Sequence, residues 1–158
     1  MHVAPAEQFT MADNTFSLDS GYQITRSDQH SRDEEDIVSE GLYAYNRSHI
    51  PENYQPLNLY VRDESGEIKG GLLGATYWGW CAVNILWLPD DLRGKGYGKR
   101  LMQIAEDEAR RRGCHGAHLD TMSFQALPFY QKLGYAIFGQ IDDIPVGHTR
   151  YFLKKSLR

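Results

Sequence analysis

Leu88-Pro89-Asp90-Asp91-Leu92-Arg93-Gly94-Lys95-Gly96-Tyr97-Gly98-Lys99-Arg100-Leu101 decides the reading of this chain. The segment lies between an apolar, alternating stretch and a long amphipathic one. Its three alternate glycines let the backbone turn tightly and approach a ligand closely. The helix after it offers free N–H groups and the positive end of its dipole. Arg93, Lys95, Lys99 and Arg100 add charge. The expected ligand is an anion, a phosphate or pyrophosphate.

Outward from this turn, Cys81 to Leu88 reads as a strand and Gly98 to Arg112 as a helix. The helix carries Leu101, Met102, Ala105 and Ala109 on one face, and Gly113 closes it. His118 to Thr121 reads as a short strand and Gln125 to Leu133 as a second helix ending at Gly134. Upstream, Tyr22 to Arg26 is a first strand. A helix capped by Ser27 or Asp28 then runs to about Asn46. Leu57–Arg62 and Ile68–Tyr77 are hairpin partners, and Trp78-Gly79-Trp80 is a break. Tyr135–Gln140 and Thr149–Lys154 close the chain. The order predicts an α/β (α+β) domain over 21–158, with a mixed sheet of about six to seven strands flanked by helices. Residues 1–20 read as a leader or arm. The strand–helix–strand unit from Cys81 to Thr121 is where parallel pairing is expected.

The 158 residues suit one domain, and 41% hydrophobic content suits one core. A net charge of -4 argues against nucleic acid as a partner. No window approaches the ~20 apolar residues of a membrane span, and the N-terminus lacks a secretory pattern. Cys81 and Cys114 lack metal-type spacing, and Cys114-His115-Gly116-Ala117-His118 falls short of a zinc ligand set. Two free thiols in a reducing cytoplasm is the simpler expectation, and no metal is expected.

Two nucleotide motifs fail on the glycine turn. A P-loop needs glycine five positions before Gly98 and Ser or Thr after Lys99, but Arg93 and Arg100 stand there. A dinucleotide fingerprint from Gly94 needs glycine where Lys99 stands, and from Gly96 where Leu101 stands. A third pattern, Arg/Gln-x-x-Gly-x-Gly/Ala, is met by Arg93, Gly96 and Gly98. It resembles the coenzyme A pyrophosphate loop of the GNAT family of N-acetyltransferases. Downstream, Ala126, Phe129, Tyr130, Lys132, Leu133, Gly134 and Tyr135 resemble that family's second cofactor motif. Residues 82–135 carry the resemblance most strongly. Two positions depart from it: Asp90 replaces a frequent proline and Ser123 a frequent asparagine.

The resemblance implies acetyl-CoA as donor and an N-acetyltransferase activity. It implies cofactor contacts from Trp87, Leu88, Arg93, Gly94, Lys95, Gly96, Tyr97, Gly98, Lys99, Ser123, Ala126 and Phe129, with the main chain of Trp87 and Leu88 facing the pantetheine arm. Tyr130 matches the tyrosine that protonates the leaving thiolate, a role that a phenol of pKa ~10 can fill. The base stays open among Asp120, Asn84 through water, Glu40 and His148. For the acceptor, the resemblance and the aromatic content point to Tyr43, His49, Trp78, Trp80 and Arg150. A small-molecule amine is the expected acceptor, with a protein amine or a non-catalytic acyl-CoA-binding role as alternatives. Family members are often homodimers, and Tyr135, Phe138, Tyr151 and Phe152 could serve an interface or the core.

Overall fold

The computed structural model describes residues 15–17 and 21–158. The leader expected over 1–20 therefore lies outside the described residues, except for Thr15–Ser17. The chain divides into two units at Ile50/Pro51. In the first, β1 (Thr15–Ser17) pairs antiparallel with β2 (Gln23–Thr25), and α1 spans Arg32–Arg47. Ser27 and Asp28 do not cap this helix. The Ser27 hydroxyl accepts the Gln29 N–H at 3.1 Å, and Asp28 pairs with Arg26 at 2.8 Å. Both are spent in the approach, and Ser31 takes the N-cap position without a side-chain bond. Asp33, Glu34 and Glu35 in the first turn oppose the helix dipole favourably.

The second unit holds a six-stranded mixed sheet, in the order β3-β4-β5-β6-β8-β7. Its elements are β3 (Gln55–Arg62), β4 (Ile68–Tyr77), β5 (Trp80–Trp87), α2 (Tyr97–Arg111), β6 (Gly116–Met122), α3 (Leu127–Lys132), β7 (Ala136–Asp142) and β8 (Thr149–Ser156). Neighbours pair antiparallel except β5 and β6, which are parallel across the α2 crossover. The α+β architecture agrees with the sequence reading.

Helix α2 buries Leu101, Met102, Ala105 and Ala109 in a core shared with Leu57, Leu72, Leu119 and Leu153. Each large apolar side chain so buried contributes about 1.5–3 kcal/mol. Arg112, at the helix end, donates to the carbonyls of Gln55 and Pro56 and to the Thr76 hydroxyl. The helix is thereby tied to β3 and β4, and its N-terminus is aimed from a fixed base.

Strand β5 is irregular on both sides. Against β4, Leu73 pairs with Ile85 but Gly74 pairs with Val83, so Asn84 is the extra residue of a bulge. Against β6, the last rung is Val83 with Leu119. Beyond it the two parallel strands part, and Asn84 and Asp120 are the first residues past the last rung.

Candidate active site

The glycine turn sits at the open end of β5. A 3-10 turn (Asp90–Leu92) leads into it, and Gly94 and Gly96 have φ of +71° and +87°. These left-handed conformations favour glycine. A Cβ at either would meet nothing within 4 Å, so the backbone there is open to a ligand. The first helical bond of α2 runs from the Arg100 N–H to the Gly96 carbonyl at 3.0 Å. The N–H groups of Tyr97, Gly98 and Lys99 therefore have no helical acceptor and are available to an anion. Arg93 serves the loop itself: its Nε donates to the Leu88 carbonyl at 2.8 Å, and its guanidinium pairs with Asp90 at 2.7 Å. Asp90, standing where the family pattern has proline, thus has a partner within the turn.

A groove leads from this turn into the split between β5 and β6. Its outer part, about 390 Å³, is lined by Leu86, Leu88, Leu92, Arg93, Gly94, Gly96, Gly98, Lys99, Ala126 and Phe129. Its inner part, about 700 Å³, shares Leu86, Leu88, Arg93 and Ala126 with the outer part. It adds Asn84, Ile85, Trp87, Asp120, Met122, Phe124, Gln125 and Tyr130, among others. A mouth beside free helix N–H groups and a polar inner end are thus joined by an apolar passage. Gly98 faces the Phe129 ring, which a Cβ there would meet in ordinary contact at 3.4 Å.

Tyr130 is held at the inner end by a short helix. The Gln125 side-chain carbonyl accepts from the Met122 N–H at 2.8 Å and the Thr121 hydroxyl at 3.3 Å. Gln125 is thus spent on the end of β6, and α3 begins at Leu127, later than the sequence suggested. At the other end Gly134, at φ +88°, allows the Tyr135 N–H to reach the Tyr130 carbonyl at 3.1 Å. Tyr130 is 7% exposed. Burial, and then the nearby Asp120 carboxylate, push its pKa up to about 12. The phenol therefore stays protonated and can act as a donor.

The other residues singled out from sequence fall into distinct places. Asp120 lines the inner groove and is tied to Arg150, whose Nε donates to it at 2.7 Å. Ser123 lies outside the groove lining; its hydroxyl meets a His148 ring nitrogen at 3.2 Å and accepts the Thr149 N–H at 3.3 Å. His148 stands behind the wall, its ring 4.9 Å from that of Phe124. Lys95 and Tyr97 are exposed residues of the turn. Trp78 and Trp80 are not brought to the groove. They flank the β4–β5 turn, at the opposite end of β5 from Trp87. There Trp80 packs edge-on to His115 at 5.1 Å, and Trp78 packs against Tyr77 at 5.9 Å. Tyr43 and His49 belong to the first unit, where His49 meets the Tyr45 carbonyl at 2.9 Å and helps finish α1. Glu40 lies in the same helix and pairs with Arg47. Sequence reading missed Ile85, Met122, Phe124 and Gln125. For Phe124 and Gln125 the available signal was their place between the β6 strand and the second motif.

A family model described as the acetyltransferase (GNAT) family matches residues 18–135. The chain belongs to the GNAT acetyltransferase family. A blasticidin-S acetyltransferase of Streptomyces morookaense is 41% identical over 126 residues, covering 77% of this chain and 92% of that one. A crystal structure from Agrobacterium tumefaciens superposes with a TM-score of 0.81 at 34% identity, covering 84% and 98% of the two chains. A Bacillus anthracis protein solved in complex with acetyl coenzyme A has a TM-score of 0.51 at 22% identity over 58% and 57%. In this GNAT enzyme the glycine turn and α3 supply the two family motifs, and the groove joins them.

Proposed function

We propose that this GNAT acetyltransferase moves the acetyl group of acetyl-CoA to the primary amine of a small molecule, by direct attack in a ternary complex. The observation that carries the reading is the single groove from the open α2 N-terminus to the Tyr130 hydroxyl. Its inner volume of about 700 Å³ is that of a small-molecule site. The blasticidin-S relative supports an acceptor of that kind.

The residues present fit coenzyme A. The α2 N-terminus and the open glycines suit a pyrophosphate, and Leu86, Leu88 and Ala126 suit an uncharged arm. Acetyl-CoA supplies an acetyl group already activated as a thioester. Past the Val83–Leu119 rung, β5 presents backbone that β6 does not pair, suited to orienting a carbonyl. Tyr130 keeps its proton at the hydroxyl and gives it to the departing sulfur. An amine must be neutral to attack; of the polar groups nearest the split, the Asp120 carboxylate can take its proton, and Asn84 can hold a water that relays it. His148 acts behind Phe124, as support for the wall. Arg150 holds Asp120 in place.

We also propose a homodimer, with the exposed Phe138 and Ile141 of edge strand β7 at the interface; light scattering should give twice the chain mass. Tyr135 is buried in the core and takes no part. The enzyme reading is tested by release of free CoA from acetyl-CoA over a broad amine panel, with mass detection of products. Acetylated amine is the expected result. Tight acetyl-CoA binding without any product would remove the small-molecule reading.

A further inference from the structure

Three large apolar side chains line the inner groove while standing half in solvent: Ile85 at 53% exposure, Trp87 at 54% and Phe124 at 57%. Strand alternation sends Ile85 and Trp87 to the face opposite Leu86 and Leu88, whose side chains pack with the core and the cofactor passage. Trp87 lies across from Gly71 on β4, so no side chain of that partner stands beside the indole. The Phe124 ring is not a loose loop side chain. It sits edge-on to His148 at 4.9 Å and 78°, and His148 is held by the Ser123 hydroxyl. Ser123 is itself bonded twice to Thr149, through the Ser123 N–H to the Thr149 carbonyl at 2.8 Å and the Thr149 N–H to Ser123 Oγ at 3.3 Å. An oriented aromatic ring left facing water is a feature of a pre-organised binding wall. The charged residues of the inner lining are both engaged, Asp120 with Arg150 and Arg93 with Asp90 and the Leu88 carbonyl.

We infer that the acceptor carries a flat aromatic or heteroaromatic ring, held by Trp87 and Phe124 with its amine directed to Asn84 and Asp120; this rests on the small-molecule reading above. Aromatic faces favour another π-system over saturated bulk of equal size through ring quadrupoles. A long, fully polar amine would leave both rings uncovered. His148 is a positioning residue in this arrangement, because it fixes the plane of Phe124.

The test compares 2-phenylethylamine with 2-cyclohexylethylamine, which match in length, charge and bulk and differ in flatness. With the full chain and saturating acetyl-CoA, kcat/KM should favour the aromatic amine by about tenfold. Phe124→Leu and Trp87→Leu should each bring that ratio toward one, and Phe124→Tyr should restore it. A ratio of one in the unaltered enzyme, or one that neither leucine variant changes, overturns the inference while leaving acetyl transfer to small amines intact. If no amine on the broad panel is acetylated, the proposed function fails first. The ring site is then read by tryptophan fluorescence of the CoA-loaded protein. Saturable quenching by 2-phenylethylamine that Trp87→Leu abolishes sustains the site, and its absence overturns it.

Discussion

Strands β5 and β6 lie side by side, yet their two ends differ in kind. At the end where they are paired, Trp80 to Val83 match Gly116 to Leu119, and Trp80, His115, His118 and Tyr77 pack edge to face. Gly116 is needed there because a Cβ would come within 2.5 Å of the Trp80 ring. At the other end the rungs stop, Asn84 bulges, and Asp120 and Tyr130 face a cleft of about 700 Å³. Histidines and tryptophans crowd the closed end, but the groove, and with it the proposed chemistry, lies at the open one. A cluster of reactive side-chain types becomes a site only where the backbone leaves room and unsatisfied groups.

The largest expected effect tests the open end. Tyr130→Phe should lower kcat by about 100-fold or more, the scale of a lost acid catalyst, with little change in the Kd for acetyl-CoA. Because the phenol is held near 12 rather than 10, the rate should not fall through pH 10. The same shift makes the group a stabilising one below pH 10, with that stability lost as pH rises from 10 to 12. An alkaline limb that Tyr130→Phe leaves in place belongs to another group, and unchanged kcat in that variant would show that Tyr130 is not the donor.

The closed end should answer through stability. Gly116→Ala pushes a methyl group into the Trp80 ring and should cost about 1–3 kcal/mol. Denaturant unfolding measures this, and the acetyl-CoA Kd should stay as it was. A loss of affinity with no loss of stability would join the two ends and break the contrast. Gly96→Val forces a branched side chain into φ +87°. The free turn should relax away from that conformation to relieve about 1–2 kcal/mol of strain, which acetyl-CoA binding must then restore, so affinity should fall by about tenfold, read by calorimetry. The smallest effect is expected at His118, whose pKa burial pushes down and the Asp120 charge only partly restores. A depressed histidine contributes stability above its unfolded value of about 6.5 and loses it as pH falls. His118→Gln should therefore flatten the fall of Tm between about pH 7 and 5.5.

Much of the open end was legible. The glycine spacing, the helix after it and the second motif located the glycine turn and Tyr130, both of which line the groove, because glycine requirements and helix starts are local properties. The proposed acceptor wall was not legible. Trp78 and Trp80 drew attention by composition, whereas Trp87 and Phe124 line the groove. What separates Trp80 from Trp87 is distance along β5 from its last rung with β6, and that register is fixed by pairing with residues more than thirty positions away. The Asn84 bulge is hidden for the same reason. Ser27 and Asp28 looked like caps because cap preference depends on residue type, but each found a nearer partner.

Helix α3 has six residues, too few to persist by itself in water. Its closing bond, from the Tyr135 amide to the Tyr130 carbonyl, is made by main chain alone. Deuterium uptake at that one amide therefore reports how often Tyr130 leaves its place at the inner groove, and does so without a substrate or a turnover assay.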